Sequence, residues 1–224
     1  MSLQKVVIIG AGGCGREALD VFDAINKINP TFNVIGYIVN PKYARAGTEI
    51  NDKIIVGGFD WLIEHKNDVQ AICAVGAPEI RIKLIKHAQE IGVNFCSITH
   101  PNAILSRWIT LGTGIIIAAG CILTNQIQIG NHVHINLDCT IGHDVVANDF
   151  VTLAPGVHVS GNVILREGCY IGTGANIIEK IIIGEWSIVG AGSTVITDIP
   201  KNTTAVGVPC KTIKSRPDGW HLKC

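Results

Sequence analysis

A small parallel α/β domain followed by a long parallel β-helix is the architecture this sequence predicts, and three observations carry it. Over residues 1 to about 99, short apolar runs alternate with segments of helical periodicity. From Leu105 to Val195, aliphatic residues recur at every sixth position without a break. The composition changes between the two regimes at "THPNAIL", which divides the chain into domains 1–99 and 100–224.

In the first domain the order is "KVVIIG" as strand, "REALDVFDAI" as helix, "NVIGYIV" as strand and "FDWLIEHK" as helix. "VQAICAVG" then reads as strand, "EIRIKLIKHAQEIG" as helix and "NFCSI" as strand. The strands are β-branched and continuous in apolar character, as expected of a sheet covered on both faces. Each is followed by a segment of the length a crossover helix requires.

In the second domain the residues at 105, 111, 117 and every sixth position to 195 are all aliphatic, Ala147 being the smallest. Two positions before each lies a second column, Ile109, Ile115, Cys121, Ile127 and onward, apolar until Ser187 and Ser193. A buried helix face needs spacings of three and four, so a period of six excludes helix. A three-sided coil of eighteen residues satisfies it, each coil burying its columns against the next. Glycine often follows the aliphatic position, as in "LG", "IG" and "VG". This predicts corners that need a residue without Cβ.

The 224 residues carry 18 Lys and Arg against 18 Asp and Glu, so no net field draws the chain to nucleic acid or an anionic membrane. A small-molecule partner is the expectation. "MSLQKVVIIGAGGCG" holds too short an apolar run for a leader or a membrane span, which reads as a cytoplasmic chain. None of the eight cysteines forms a CxxC pair or a zinc pattern. Cys121, Cys139 and Cys169 fall in the second buried column, where a thiol acts as a small hydrophobe.

"VVIIGAGGCGREALD" contains GxGxxG at Gly10, Gly12 and Gly15, after a strand and before a helix. Glycines there let backbone amides approach a pair of phosphates, and Gly13 and Cys14 complete the turn. An NAD site would place an acidic residue at the end of the second strand, but Val39 and Asn40 stand there. A different nucleotide diphosphate is expected.

The six-residue repeat resembles that of the hexapeptide acyltransferases, whose coils wind left-handed. Its exit, "ITDIPKNTTAVGVPCKTIK", resembles theirs. The two halves together resemble the NeuD and PglD family of bacterial sugar acetyltransferases. The resemblance implies acetyl-CoA as co-substrate and, as acceptor, a nucleotide-linked 4-amino-dideoxysugar for surface glycan synthesis. It also implies a homotrimer with each site between two β-helices. "IGHDVVANDF" resembles the family's active-site stretch and implies His143 as general base and Asp144 as its support. Gly161, eighteen residues on, matches a backbone amide that meets the acetyl carbonyl.

The same resemblance places the end of the second strand, here Asn40, near the base, Asn136 near the sugar, and Gly76 and Arg81 of "AVGAPEIR" near the sugar nucleotide. Thr152 stands where PglD-like members carry a histidine that contacts the cofactor. Thr173 and Ala191 match the pantetheine groove, and Lys211 a coenzyme A phosphate. Three other readings compete. One is a sialic-acid O-acetyltransferase, and another a sugar-nucleotide sensor without turnover. The third is a zinc lyase using His132, His134, His143 and His158; against it, the phase puts His132 and His134 on different faces, and no metal is expected.

Overall fold

The computed structural model describes residues 3–223. In the first domain β1 (Gln4–Ile9), α1 (Gly13–Ile28), β2 (Phe32–Ile38), β3 (Glu49–Ile50) and β4 (Lys53–Gly57) follow in order. Then come α2 (Phe59–His65), β5 (Gln70–Cys73), α3 (Pro78–Ile91) and β6 (Asn94–Phe95). The sheet order is β3-β4-β2-β1-β5-β6, parallel except at the β3–β4 hairpin. That hairpin is absent from the periodicity reading. It turns on Asn51 and Asp52, both left-handed, as a tight two-residue turn requires. Val7, Ile9 and Leu62 fill one side of the sheet, and Val6, Ile8 and Phe22 the other, all fully or nearly fully buried.

"NFCSI" divides between the two domains. Asn94–Phe95 closes the α/β sheet beside β5, whereas Ile98–Thr99 pairs with Ile116–Ile117 and forms the first rung of the β-helix. The left-handed β-helix then winds through three parallel faces. The first face stacks Ile98–Thr99, Ile116–Ile117, His134–Ile135, Thr152–Leu153, Tyr170–Ile171 and Ile188–Val189. The second stacks Ile104–Leu105 through Thr140–Ile141 and His158–Val159 to Thr194–Val195, and the third Ile109–Leu111 through Val146–Ala147 to Ile182–Ile183. Every register step is eighteen residues, as in His134 opposite Thr152.

Both six-residue columns point inward and form one continuous core from Ile115 to Cys210. Burying each such Ile, Leu or Val contributes about 1.5–3 kcal/mol. Leu111 is the exception, 39% exposed in the first coil, which has no coil before it on that face. Cys121, Cys139 and Cys169 are fully buried in this core. The seven described cysteines are free, and Cys224 lies outside the described residues. The two serines that end the second column are buried as well. Ser187 Oγ donates to the Pro200 carbonyl (2.5 Å) and Ser193 Oγ accepts from the Gly207 amide (3.0 Å). They anchor the returning chain, whose hairpin Thr203–Val206 and Lys211–Ser215 closes the first face.

The glycine pattern has a different cause from the one the sequence suggests. Left-handed backbone falls at every sixth residue from Gly114 to Gly192, including Gln126, His132, Asp138, Asp144, Phe150, Asn162, Lys180 and Trp186. The glycines that follow the aliphatic column lie elsewhere and are required by stacking. A Cβ on Gly142 would lie 2.7 Å from the Gly161 nitrogen of the next coil, and one on Gly172 2.6 Å from the Ala191 nitrogen.

Candidate active site

The turn from β1 to α1 builds a ledge of backbone amides. Gly10 takes φ +102°, and a Cβ on Gly15 would lie 2.1 Å from the Gly10 carbonyl oxygen, so glycine is obligatory at Gly15 for the loop to close on itself. Gly12 and Gly13 have nothing within 4 Å of an added Cβ and face solvent. The first turn of α1 holds no acidic residue, which suits an anion at its N-terminus. Cys14 is half-buried against Gly76, and burial raises its thiol pKa. Asn40 is exposed, its Oδ1 accepting from the Lys42 amide (2.9 Å).

This loop sits beside the corner that leads from the first face to the second. Cys14 and Glu17 of α1 line, with His134 and Asn136, a small cavity of about 30 Å³. Thr173 and Ala191 lie on the same corner in later coils, both exposed, with the Gly192 amide donating to the Thr173 carbonyl (2.8 Å). Lys211 is exposed on the final hairpin.

His143 and Asp144 occupy the next corner, between the second and third faces. The left-handed backbone at Asp144 (φ 60°) turns its carboxylate toward the preceding imidazole, and His143 Nδ1 donates to Asp144 Oδ2 at 2.7 Å. The bond leaves Nε2 as the basic nitrogen, held on a side chain that is 63% exposed. Gly161 lies directly under the ring: an added Cβ would be 2.6 Å from both Cε1 and Nε2. The Asn162 amide donates to the His143 carbonyl (2.8 Å), which locks the two coils together there. Between the two corners the second face presents Thr140, His158 and Asn176 outward, Thr140 Oγ1 bonding His158 Nδ1 at 2.8 Å.

Arg81 and Thr152, which the resemblance puts near the sugar nucleotide and the cofactor, are instead buried where the first domain rests on the first face. Arg81 Nη1 donates to the carbonyls of Val75 (2.9 Å) and Gly76 (3.1 Å), and Nη2 to those of Phe150 (2.7 Å) and Val151 (3.2 Å). Nη2 also donates to Thr152 Oγ1 (2.9 Å), whose hydroxyl in turn donates to the Gly76 carbonyl (3.0 Å). Burial lowers the Arg81 pKa to about 10.

The histidines of the zinc reading are also accounted for. His132 and His134 do not point to different faces of the molecule: both are buried beneath the first domain. His132 packs between Phe95 and Phe150. His134 Nε2 donates to the Cys73 carbonyl (2.9 Å), and Nδ1 lies 3.4 Å from Arg81 Nη1. Burial, aided by Arg81, lowers both pKa values, that of His132 to about 4. Among the described residues no group of three or more His, Cys, Asp and Glu is placed to hold a metal ion.

Residues 5–88 match the model of the PglD N-terminal domain. No curated protein sequence matches the chain. Among solved structures, a perosamine N-acetyltransferase mutant from Caulobacter crescentus, bound to CoA and GDP-perosamine, superposes with a TM-score of 0.87. It is 27% identical, over 96% of this chain and 99% of that one. Over both domains the chain is similar to the NeuD/PglD-like sugar acetyltransferases. Two further solved structures match over their whole length. The acetyltransferase domain of PglB from Neisseria gonorrhoeae, with acetyl coenzyme A, gives a TM-score of 0.86 at 27% identity, over 95% of this chain and 100% of that one. WeeI from Acinetobacter baumannii gives 0.84 at 28%, over 94% and 100%. No helix among the described residues is long and apolar enough to cross a membrane.

Proposed function

We propose that this chain transfers the acetyl group of acetyl-CoA to the amine of a nucleotide-linked 4-amino-dideoxysugar. The observation that carries the reading is the His143–Asp144 pair seated over Gly161, on a β-helix whose attached domain offers a glycine ledge for phosphates. The Caulobacter structure, bound to CoA and GDP-perosamine, and the acetyl-CoA complex of PglB support the same pairing of substrates.

In this mechanism the sugar nitrogen attacks the thioester carbonyl. His143 Nε2 takes the nitrogen's proton, while Asp144 holds the other ring nitrogen protonated and balances the imidazolium. The Gly161 amide, beneath the ring, donates to the oxyanion as the C–S bond breaks and coenzyme A leaves as thiol. Thr173 and Ala191, small and exposed, leave room for the pantetheine arm, and Lys211 lies open to a coenzyme A phosphate. Gly10, Gly12, Gly13, Cys14 and Gly15 carry the nucleotide diphosphate, with Asn136 and Gly76 at the sugar end and Asn40 near the base.

Within one chain the glycine ledge and His143 stand on different corners, with the polar second face open between them. A neighbouring β-helix laid along that face would complete the site, which is the basis for a homotrimer with shared sites.

The test is mass-spectrometric detection of acetyl transfer from acetyl-CoA to UDP-, dTDP- and GDP-linked 4-amino sugars and to free sialic acid. Product on a nucleotide amino sugar, lost in His143→Ala, is the expected result. Product on sialic acid alone would make the chain an O-acetyltransferase, and nucleotide binding without product would make it a sensor.

A further inference from the structure

We propose that Arg81 is a positioning residue of this transfer: it sets the distance between the glycine ledge of the first domain and the β-helix, and touches no substrate. The inference rests on the function proposed above. Arg81 is fully buried and its two terminal nitrogens serve six acceptors, three from each. Two of these carbonyls belong to the turn after β5 and two to the corner entering one rung of the β-helix. Among the described residues no carboxylate pairs with it. Carbonyl dipoles from both domains hold the cation, so separating the domains would strand it.

The cation also determines both walls of the cavity at the ledge. On one side Arg81 binds the carbonyl of Gly76, and an added Cβ on Gly76 would lie 3.2 Å from Cys14 Sγ. On the other it reaches His134, which lines the cavity two residues before Asn136. Thr152, opposite His134 in the next rung, bonds both Arg81 and Gly76. A planar fork can satisfy this spread of acceptors; a lysine ammonium, a point charge with three donors, cannot.

Arg81→Lys and Thr152→Val test the idea, the second leaving the buried charge in place. Affinity for UDP, dTDP and GDP would be measured by calorimetry and turnover with acetyl-CoA by mass spectrometry. Nucleotide affinity within about twofold of the unsubstituted chain, with kcat reduced about tenfold or more and the KM for acetyl-CoA unchanged, is expected. A parallel loss of nucleotide affinity would make Arg81 part of the nucleotide site and overturn the proposal. A lowered Tm with unchanged kcat would overturn it too, leaving a purely structural arginine. Hydrogen exchange separates this from the functional reading: amides 74–76 and 150–152 should exchange faster in Thr152→Val even if no sugar is acetylated. Unchanged exchange would overturn the clasp itself.

Discussion

Gly161 forms the floor on which the His143 imidazole rests, one coil further along the same corner, with only hydrogen at its α-carbon. A methyl group there would meet Cε1 and Nε2 at 2.6 Å. Because the ring is exposed and can swing away, Gly161→Ala should fold normally and lose turnover by a factor on the order of 10–10² through displacement of the base. Gly142→Ala makes the contrast. Its Cβ would strike the backbone nitrogen of Gly161 at 2.7 Å, so a loss of about 1–3 kcal/mol in stability is expected in thermal unfolding.

Asp144→Asn tests the tautomer. Asparagine tolerates the left-handed backbone at this position, so the fold should be retained. Its amide can donate to Nδ1, which would move the ring proton to Nε2 and remove the base. Turnover should fall by on the order of 10² or more, with coenzyme A affinity unchanged. His143→Ala should lose about 10²–10⁴ in kcat. Wild-type kcat in either variant would remove the mechanism.

The glycine ledge separates ligand effects from folding effects. A Cβ on Gly13 meets nothing within 4 Å, whereas one on Gly15 lies 2.1 Å from a carbonyl oxygen. Gly13→Ala should keep its Tm and weaken nucleoside diphosphate binding by about tenfold, as crowding of a phosphate contact predicts. Gly15→Ala should lower Tm as well. Equal nucleotide affinity in Gly13→Ala would mean that the ledge carries no phosphate.

His132 and His134 predict acid sensitivity at the domain junction. Their folded pKa values are lowered, so below the ordinary histidine value of about 6.5 the unfolded chain binds more protons than the folded one. Stability is therefore fully present above that pH. It is lost on acidification toward about 4, the folded value for His132, at up to about 1.4 kcal/mol per pH unit for each histidine. Arg81 opposes their protonation and Asp149 assists that of His132. Chemical denaturation between pH 7.5 and 4.5 measures this. His132→Phe should flatten the profile; an unchanged slope would exclude His132.

The β-helix was legible because its core is local: every inward residue is specified by a six-residue step and the coil beneath it. The His143–Asp144 pair was equally legible, both partners lying on one corner. The domain junction was not, because Arg81 meets Phe150 and Thr152 only after both domains have folded, across some seventy residues of chain. A signal existed in the outward positions of the first face, where Ile116 is followed at eighteen-residue steps by His134, Thr152 and Tyr170. Polar residues on a face covered by another domain require partners, and reading by columns of eighteen would have exposed them. The β3–β4 hairpin escaped for a simpler reason, its turn being only Asn51 and Asp52.

The left-handed residue at every sixth position from Gly114 to Gly192 limits how such a chain can change in length. A single inserted or deleted residue would move each later corner onto a neighbour unsuited to it, and would turn the inward columns out toward solvent. Removing or duplicating a whole turn of eighteen residues leaves every remaining layer with the neighbour it needs. Over evolutionary time the prism should therefore grow and shrink in complete storeys, while single-residue insertions collect in the α/β domain and at the rod's two ends.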